Sequence, residues 1–192
     1  MTKFKLGLIV GSNRRDSINR KLAKGLAKLG ADSFDATILR IADLPLYNQD
    51  LEAELPEQVV RFKAHIAESD ALLFVTPEHS RSIPAVLKNA IDWGARPWGK
   101  NSWTGKLAAI TGTSPGAIGA AIAQQHLRQV LGSGIGMHVM GGEAYIAFRP
   151  ELLDANDNVT EESTRKFLKT FLDQLVALTA KLTTRLAPSA AA

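Results

Sequence analysis

The chain has 192 residues, with 23 Lys+Arg against 19 Asp+Glu, a formal net charge of +4 and 45% hydrophobic residues. That length suits a single domain with a sizeable core, and the lack of cysteine excludes a disulfide framework, thiolate metal or iron–sulfur sites and a cysteine nucleophile. No run of about 20 apolar residues occurs, and Leu6–Val10 is too short for a signal-peptide core, so a cytoplasmic protein without membrane contact is expected.

Short apolar runs alternate with amphipathic stretches. Lys5–Gly11 reads as a buried parallel strand ended by glycine. Ile18, Leu22, Leu26 and Leu29 then recur at helical spacing, with Arg20, Lys21, Lys24 and Lys28 on the other side. A second strand is expected over Thr37–Ile41, and a helix from Pro56 to Ser69 with Val59, Phe62 and Ile66 inward. Ala71–Thr76 is a fully apolar strand stopped by Pro77. The pattern repeats as a helix over Ile83–Trp93, a strand over Lys106–Thr111, a helix over Ala117–Leu131, a strand over Ile135–Met140 and a terminal helix over Glu161–Leu182. This alternation predicts a doubly wound α/β fold, a five-stranded parallel sheet with helices on both faces. Residues 1–182 form the expected domain and 183–192 an expected flexible C-terminal tail.

Ligands of such sheets sit beyond the carboxyl ends of the strands, which directs attention to three loops. The first is Gly11-Ser12-Asn13-Arg14-Arg15-Asp16-Ser17-Ile18-Asn19. A helix N-terminus offers unpaired N–H groups and partial positive charge, to which Ser12, Ser17 and Asn19 add neutral donors and Arg14 or Arg15 adds charge. Plain helix capping by Asp16 or Ser17 explains many such loops; the density of donors favours phosphate. Neither G-x-G-x-x-G nor G-x-x-x-x-G-K-[ST] occurs in this loop.

The second loop, Pro77-Glu78-His79-Ser80-Arg81-Ser82-Ile83-Pro84, is either a simple turn into a helix or a frame for a planar heterocycle. The third, Thr111-Gly112-Thr113-Ser114-Pro115-Gly116, matches the G-x-S-x-G nucleophile elbow of serine hydrolases. Chain order opposes that reading, because an acid should precede the histidine and no Asp or Glu lies between Ser114 and His138. The four histidines form no metal-ligand pattern, so no metal is expected. The basic face of the first helix lacks interleaved aromatics, so no nucleic-acid partner is expected either.

These loops resemble those of the NADPH-dependent FMN reductase family, a flavodoxin-like group that includes bacterial chromate and quinone reductases. Gly11, Ser12, Arg14, Ser17 and Asn19 match every fixed position of the family's G-S-x-R-x-x-S-x-N motif. Pro77, Glu78, Ser82, Pro84 and the segment Leu87–Trp93 match its second motif, in which His79 and Ser80 replace the usual Tyr and Asn. Ser114, Gly116, His126-Leu127-Arg128-Gln129 and Ile41–Tyr47 are also similar.

The resemblance implies noncovalent FMN, its phosphate in Gly11, Ser12, Arg14, Ser17, Ile18 and Asn19, and its ring against Pro77, Glu78, His79, Ser80, Arg81, Ser82, Thr113, Ser114, Pro115 and Gly116. It implies an oxidoreductase in which NAD(P)H, with NADPH favoured, passes hydride to FMN. Electrons then go to quinones or similar small-molecule acceptors such as chromate, azo compounds or free flavin. No side chain need act as a nucleophile or an essential acid, since FMN carries the chemistry and no catalytic residue is implied. A homodimer or homotetramer is implied, with Trp93, Trp98 and Trp103 either at its interface or in the core. The rivals are a non-enzymatic flavodoxin-type electron carrier, disfavoured by a pI near 9.4, and the Ser114 hydrolase.

Overall fold

The computed structural model describes residues 2–186. Strands β1 (Phe4–Val10), β2 (Phe34–Ile38), β3 (Ala71–Val75) and β4 (Leu107–Ser114) alternate with helices α1 (Ile18–Leu29), α2 (Glu57–Glu68), α3 (Ala85–Ala95) and α4 (Ala121–Gln129). Two short strands, β5 (His138–Val139) and β6 (Tyr145–Ala147), precede the long helix α5 (Glu162–Leu186). All pairings are parallel, in the order β2-β1-β3-β4-β5 with β6 also on β4. This is the flavodoxin-like order, whose winding reverses between β1 and β3 and opens a crevice there at the carboxyl ends of the strands.

Strand periodicity divides the core between two faces. Leu6, Leu8 and Val10 of β1 pack with Leu22 and Leu26 of α1 and with Leu168, Leu172 and Leu175 of α5. The intervening Ile9 belongs to the opposite cluster, with Phe62 of α2, Leu87 of α3 and Leu127 of α4. Because both faces are covered at the centre of the sheet, β3 and most of β1 and β4 read as unbroken apolar runs.

Several expected boundaries move, each for a local reason. β2 lies three residues earlier than Thr37–Ile41, because the buried Phe34 is the side chain that enters the α1–α5 cluster and pairs opposite Phe4. Leu39 follows the ladder, bonded by its N–H to Leu8 O at 2.8 Å. α4 starts at Ala121 rather than Ala117, since Gly119 (φ 55°) and Ala120 (φ 61°) are left-handed and cannot belong to it. α5 continues to Leu186, so residues 183–186 of the expected tail are helical; residues 187–192 lie outside the described residues.

The fifth strand position is split. β5 pairs beside Leu107 and Ala108, and β6 beside Gly112–Ser114. Between them the guanidinium of Arg128 donates from Nη1 to Met140 O and from Nη2 to Gly142 O, both at 2.6 Å. The buried Gln124 donates to Ala144 O at 3.1 Å. Gly136, at φ 74°, prevents the strand from starting at Ile135. Two separate nitrogens of one planar guanidinium reach the two carbonyls, so Arg128→Lys should cost about 2 kcal/mol, read as a lower urea midpoint. Among the described residues no helix is long and apolar enough to cross a membrane.

Candidate functional site

A cleft of 310 Å³ lies where the loops after β1, β3 and β4 converge. Of the residues expected from sequence, Gly11, Ser12, Arg14, Ser17, Ile18, Asn19, Pro77, Glu78, His79, Thr113, Ser114 and Pro115 line it. Asn13 and Val86, not expected, line it as well. Ser80, Arg81, Ser82 and Gly116 do not; the first three form the turn that presents His79.

The β1–α1 loop is built around the start of α1. Ser17 is buried and is the N-cap, its Oγ accepting from Arg20 N at 3.2 Å. That bond uses an oxygen lone pair and leaves the hydroxyl hydrogen available to donate. The N–H groups of Ile18 and Asn19 belong to the first turn, which has no carbonyls one turn earlier. No acidic residue sits in that turn, so the positive end of the helix dipole is uncompensated. Arg14 is exposed beside it, its own N–H on Ser12 Oγ at 3.4 Å.

Asn19 has a different task from the donor role expected of it. Its Nδ2 donates to Thr113 O and its Oδ1 accepts from Thr113 N, both at 2.9 Å, in a fully buried reciprocal pair. The start of α1 is thereby fixed to the end of β4, across 94 residues of sequence. Thr113 Oγ1 is buried and has no partner among the described residues. At the cleft's back wall Gly11 brings backbone close to Thr76, Leu87 and Pro77; a Cβ there would sit 3.0 Å from Thr76 Oγ1.

The β3–α3 loop is a tight hairpin. His79 N–H donates to Ser82 O at 3.0 Å and Ser82 N–H to His79 O at 2.9 Å. Its central residues, Ser80 (φ 49°) and Arg81 (φ 63°), are both left-handed, as a two-residue type I′ turn requires. Non-glycine residues there store strain of about 1 kcal/mol or more each. Ser80→Gly should therefore stabilise the protein by about 1 kcal/mol, read as a raised urea midpoint.

Glu78 anchors this turn at a distance. Its Oε2 accepts from Ile122 N and Ala123 N, both at 3.1 Å, and its Oε1 from Arg81 Nη1 at 3.1 Å. α4 has no side-chain cap of its own at Ala120, so Glu78 supplies the missing acceptor and complements the helix dipole. A second strut runs from Ser82 Oγ to His126 Nδ1 at 2.8 Å. Sequence reasoning placed neither His126 nor α4 in this assembly, because the contact depends on how the third loop folds.

Ser114 is the last residue of β4, without the left-handed backbone found at Ser80 and Arg81. Its Oγ accepts from Ala120 N at 3.2 Å. His126 is engaged with Ser82, and His138 lies in β5, which pairs with the opposite end of β4. Among the described residues neither histidine is paired with Ser114, and the Ser114 hydrolase arrangement is absent.

Residues 4–150 match the family model described as NADPH-dependent FMN reductase. The chain is 49% identical over 174 residues to a 2-hydroxy-1,4-benzoquinone reductase of a Burkholderia species, covering 91% of this chain and 95% of that protein. It is 45% identical over 176 residues to a quinone reductase of Pseudomonas putida, covering 91% and 94%. Among solved structures, the flavoenzyme NAD(P)H:(acceptor) oxidoreductase of Paracoccus denitrificans is similar with a TM-score of 0.89 and 49% identity, over 93% of this chain and 98% of that one.

Proposed function

The chain belongs to the NADPH-dependent FMN reductase family, and from that membership we propose that it is an FMN-dependent NAD(P)H oxidoreductase reducing quinones, with FMN in the cleft between the loops after β1, β3 and β4. The observation that carries the placement is the start of α1: an uncompensated helix N-terminus, an inward serine hydroxyl and an adjacent arginine meet at one end of the cleft. Such a donor set fits a phosphate monoester. At the other end, the buried and unpartnered Thr113 Oγ1 and the backbone of Pro77–His79 and Thr113–Pro115 suit the polar edge of a planar ring.

Bound there, FMN supplies the hydride-accepting and electron-donating chemistry that no side chain of this protein can supply. The residues do the rest. Ser17, Ile18 and Asn19 present N–H and O–H donors to the phosphate, and Arg14 neutralises its charge. The Asn19–Thr113 pair sets the width of the cleft, while Glu78 holds the turn against α4. With one domain-sized sheet, nicotinamide and acceptor use the same open cleft in turn, and the exposed Arg14, Arg15 and Arg81 favour NADPH. The relatives' printed names support an enzyme rather than a passive electron carrier.

A homodimer or homotetramer is part of this proposal. Trp93 and Trp103 are fully buried and their Nε1 groups donate to Pro45 O and Ile91 O, which makes them core residues. Trp98 is 87% exposed and Leu46 84%. Leu46 is displayed by a rigid loop: Glu52 accepts from Tyr47 Oη at 2.6 Å and from Arg96 Nε at 2.7 Å. The Tyr47 hydroxyl first, and then Arg96, hold the Glu52 carboxyl below the usual carboxylate range. Two large apolar side chains on fixed backbone suit a second copy of the chain. A cytoplasmic location is proposed with it.

The phosphate assignment is tested by titrating apoprotein with FMN and with riboflavin. Loss of the phosphate should weaken binding roughly 100-fold, the equivalent of about two charge-assisted hydrogen bonds. Equal affinity for the two would refute the assignment.

A further inference from the structure

We propose that His79 is the proton donor to the acceptor, a role that rests on the quinone-reductase reading and adds a catalytic residue to it. Reducing a quinone to a hydroquinone takes two electrons and two protons. The hydride contributed by NAD(P)H brings both electrons and one proton. The second proton must reach the anionic oxygen left on the half-protonated product, and a solvent proton must then restore the donor. The balance is quinone plus NAD(P)H plus one proton giving hydroquinone plus NAD(P)+.

Three ionisable side chains line the cleft: Arg14, Glu78 and His79. Arg14 does not release a proton in a protein. The Glu78 carboxylate is fully engaged, accepting two backbone N–H groups of α4 and the Arg81 guanidinium. His79 remains. Its imidazole is exposed and makes no hydrogen bond to the other described residues, so both ring nitrogens are open to solvent and to a bound acceptor. Histidine is the side chain suited to passing protons near neutral pH.

Its position is also fixed more firmly than an exposed loop residue needs. The reciprocal 79–82 backbone bonds, the left-handed Ser80 and Arg81, the Glu78 strut and the Ser82–His126 contact hold its backbone from three sides. Strain kept in place at a cleft edge points to a placed side chain. The charged and titratable groups around it are Arg14 on the β1–α1 loop, Glu78 and Arg81 on its own loop, and His126 on α4. His126 does not line the cleft and its Nδ1 is occupied by Ser82.

The test uses FMN-loaded His79→Gln with two acceptors. Benzoquinone needs the proton; ferricyanide takes electrons without one. Quinone turnover should fall roughly 100-fold, ferricyanide turnover should stay within about twofold, and the solvent isotope effect on quinone reduction should change. His138→Gln, in β5 beside the end of β4 away from the cleft, should leave the ratio of the two rates as in the wild type. Equal loss with both acceptors, or no loss with quinone, overturns the proposal while leaving the reductase reading intact. Failure of the unaltered protein to reduce either acceptor would instead overturn that reading. Independently of turnover, the imidazole Cε1–Hε1 resonance of His79 in the unaltered protein should shift when FMN is added to apoprotein; an unmoved resonance places His79 away from the ring and overturns the proposal.

Discussion

Gly112→Ala is expected to abolish folding. A Cβ at residue 112 would stand 1.9 Å from Thr76 O and 2.9 Å from Thr76 C, and both obstacles are backbone. Side chains can rotate away from an overlap; here two paired strands would have to part, at the point where Thr76 N–H donates to Thr111 O at 3.0 Å. β3 and β4 are central strands of the sheet, so separation exposes core on both faces. A loss above about 4 kcal/mol is a large share of the roughly 5–15 kcal/mol that holds a domain together. Soluble yield and far-ultraviolet circular dichroism would record it. Gly116→Ala is the control from the same loop, since its Cβ would meet only Ser114 Oγ at 3.6 Å. Its stability should lie within about 0.5 kcal/mol of the unaltered protein.

Asn19→Ala carries the second large effect. It leaves the buried N–H and C=O of Thr113 without the partners they have at 2.9 Å. Each unsatisfied backbone group costs about 1–3 kcal/mol, so a loss of roughly 2–6 kcal/mol is expected in urea unfolding. The loops after β1 and β4 are also released from one another, so FMN affinity should fall further than stability alone explains. Asn19→Asp separates the two bonds: a carboxylate keeps the acceptor for Thr113 N but faces Thr113 O without a donor. It should be at least as damaging as alanine. If either variant kept full stability and FMN affinity, the clamp would not be what sets the cleft.

The centre of the sheet was legible because β1, β3 and β4 lie between covered faces and so read as apolar runs, and because the loops after them are dense in polar residues. What sequence could not supply were the partners. Asn19 and Ser17 look alike as phosphate donors, yet the Asn19 amide is committed to a backbone 94 residues away. From sequence Glu78 stands only as a ring contact implied by the family resemblance. It reaches α4 because Gly119 and Ala120 turn left-handed and remove that helix's own cap. Gly112 and Ser114 spelled a hydrolase elbow, but the glycine is there for the strand contact at Thr76 and the serine accepts from Ala120 N. The gap between β5 and β6 was hidden for the same reason, since the carbonyls that leave the ladder are satisfied by Arg128, a residue of the preceding helix.

The central claim is that this cleft holds FMN and carries electrons from NAD(P)H to a quinone. One anaerobic absorption experiment tests it directly. Protein reconstituted with FMN and freed of excess should show the bound-flavin band near ~450 nm; NADPH should bleach it and a quinone should restore it. A protein that retains no flavin, or whose bound flavin NADPH fails to bleach, would contradict the account.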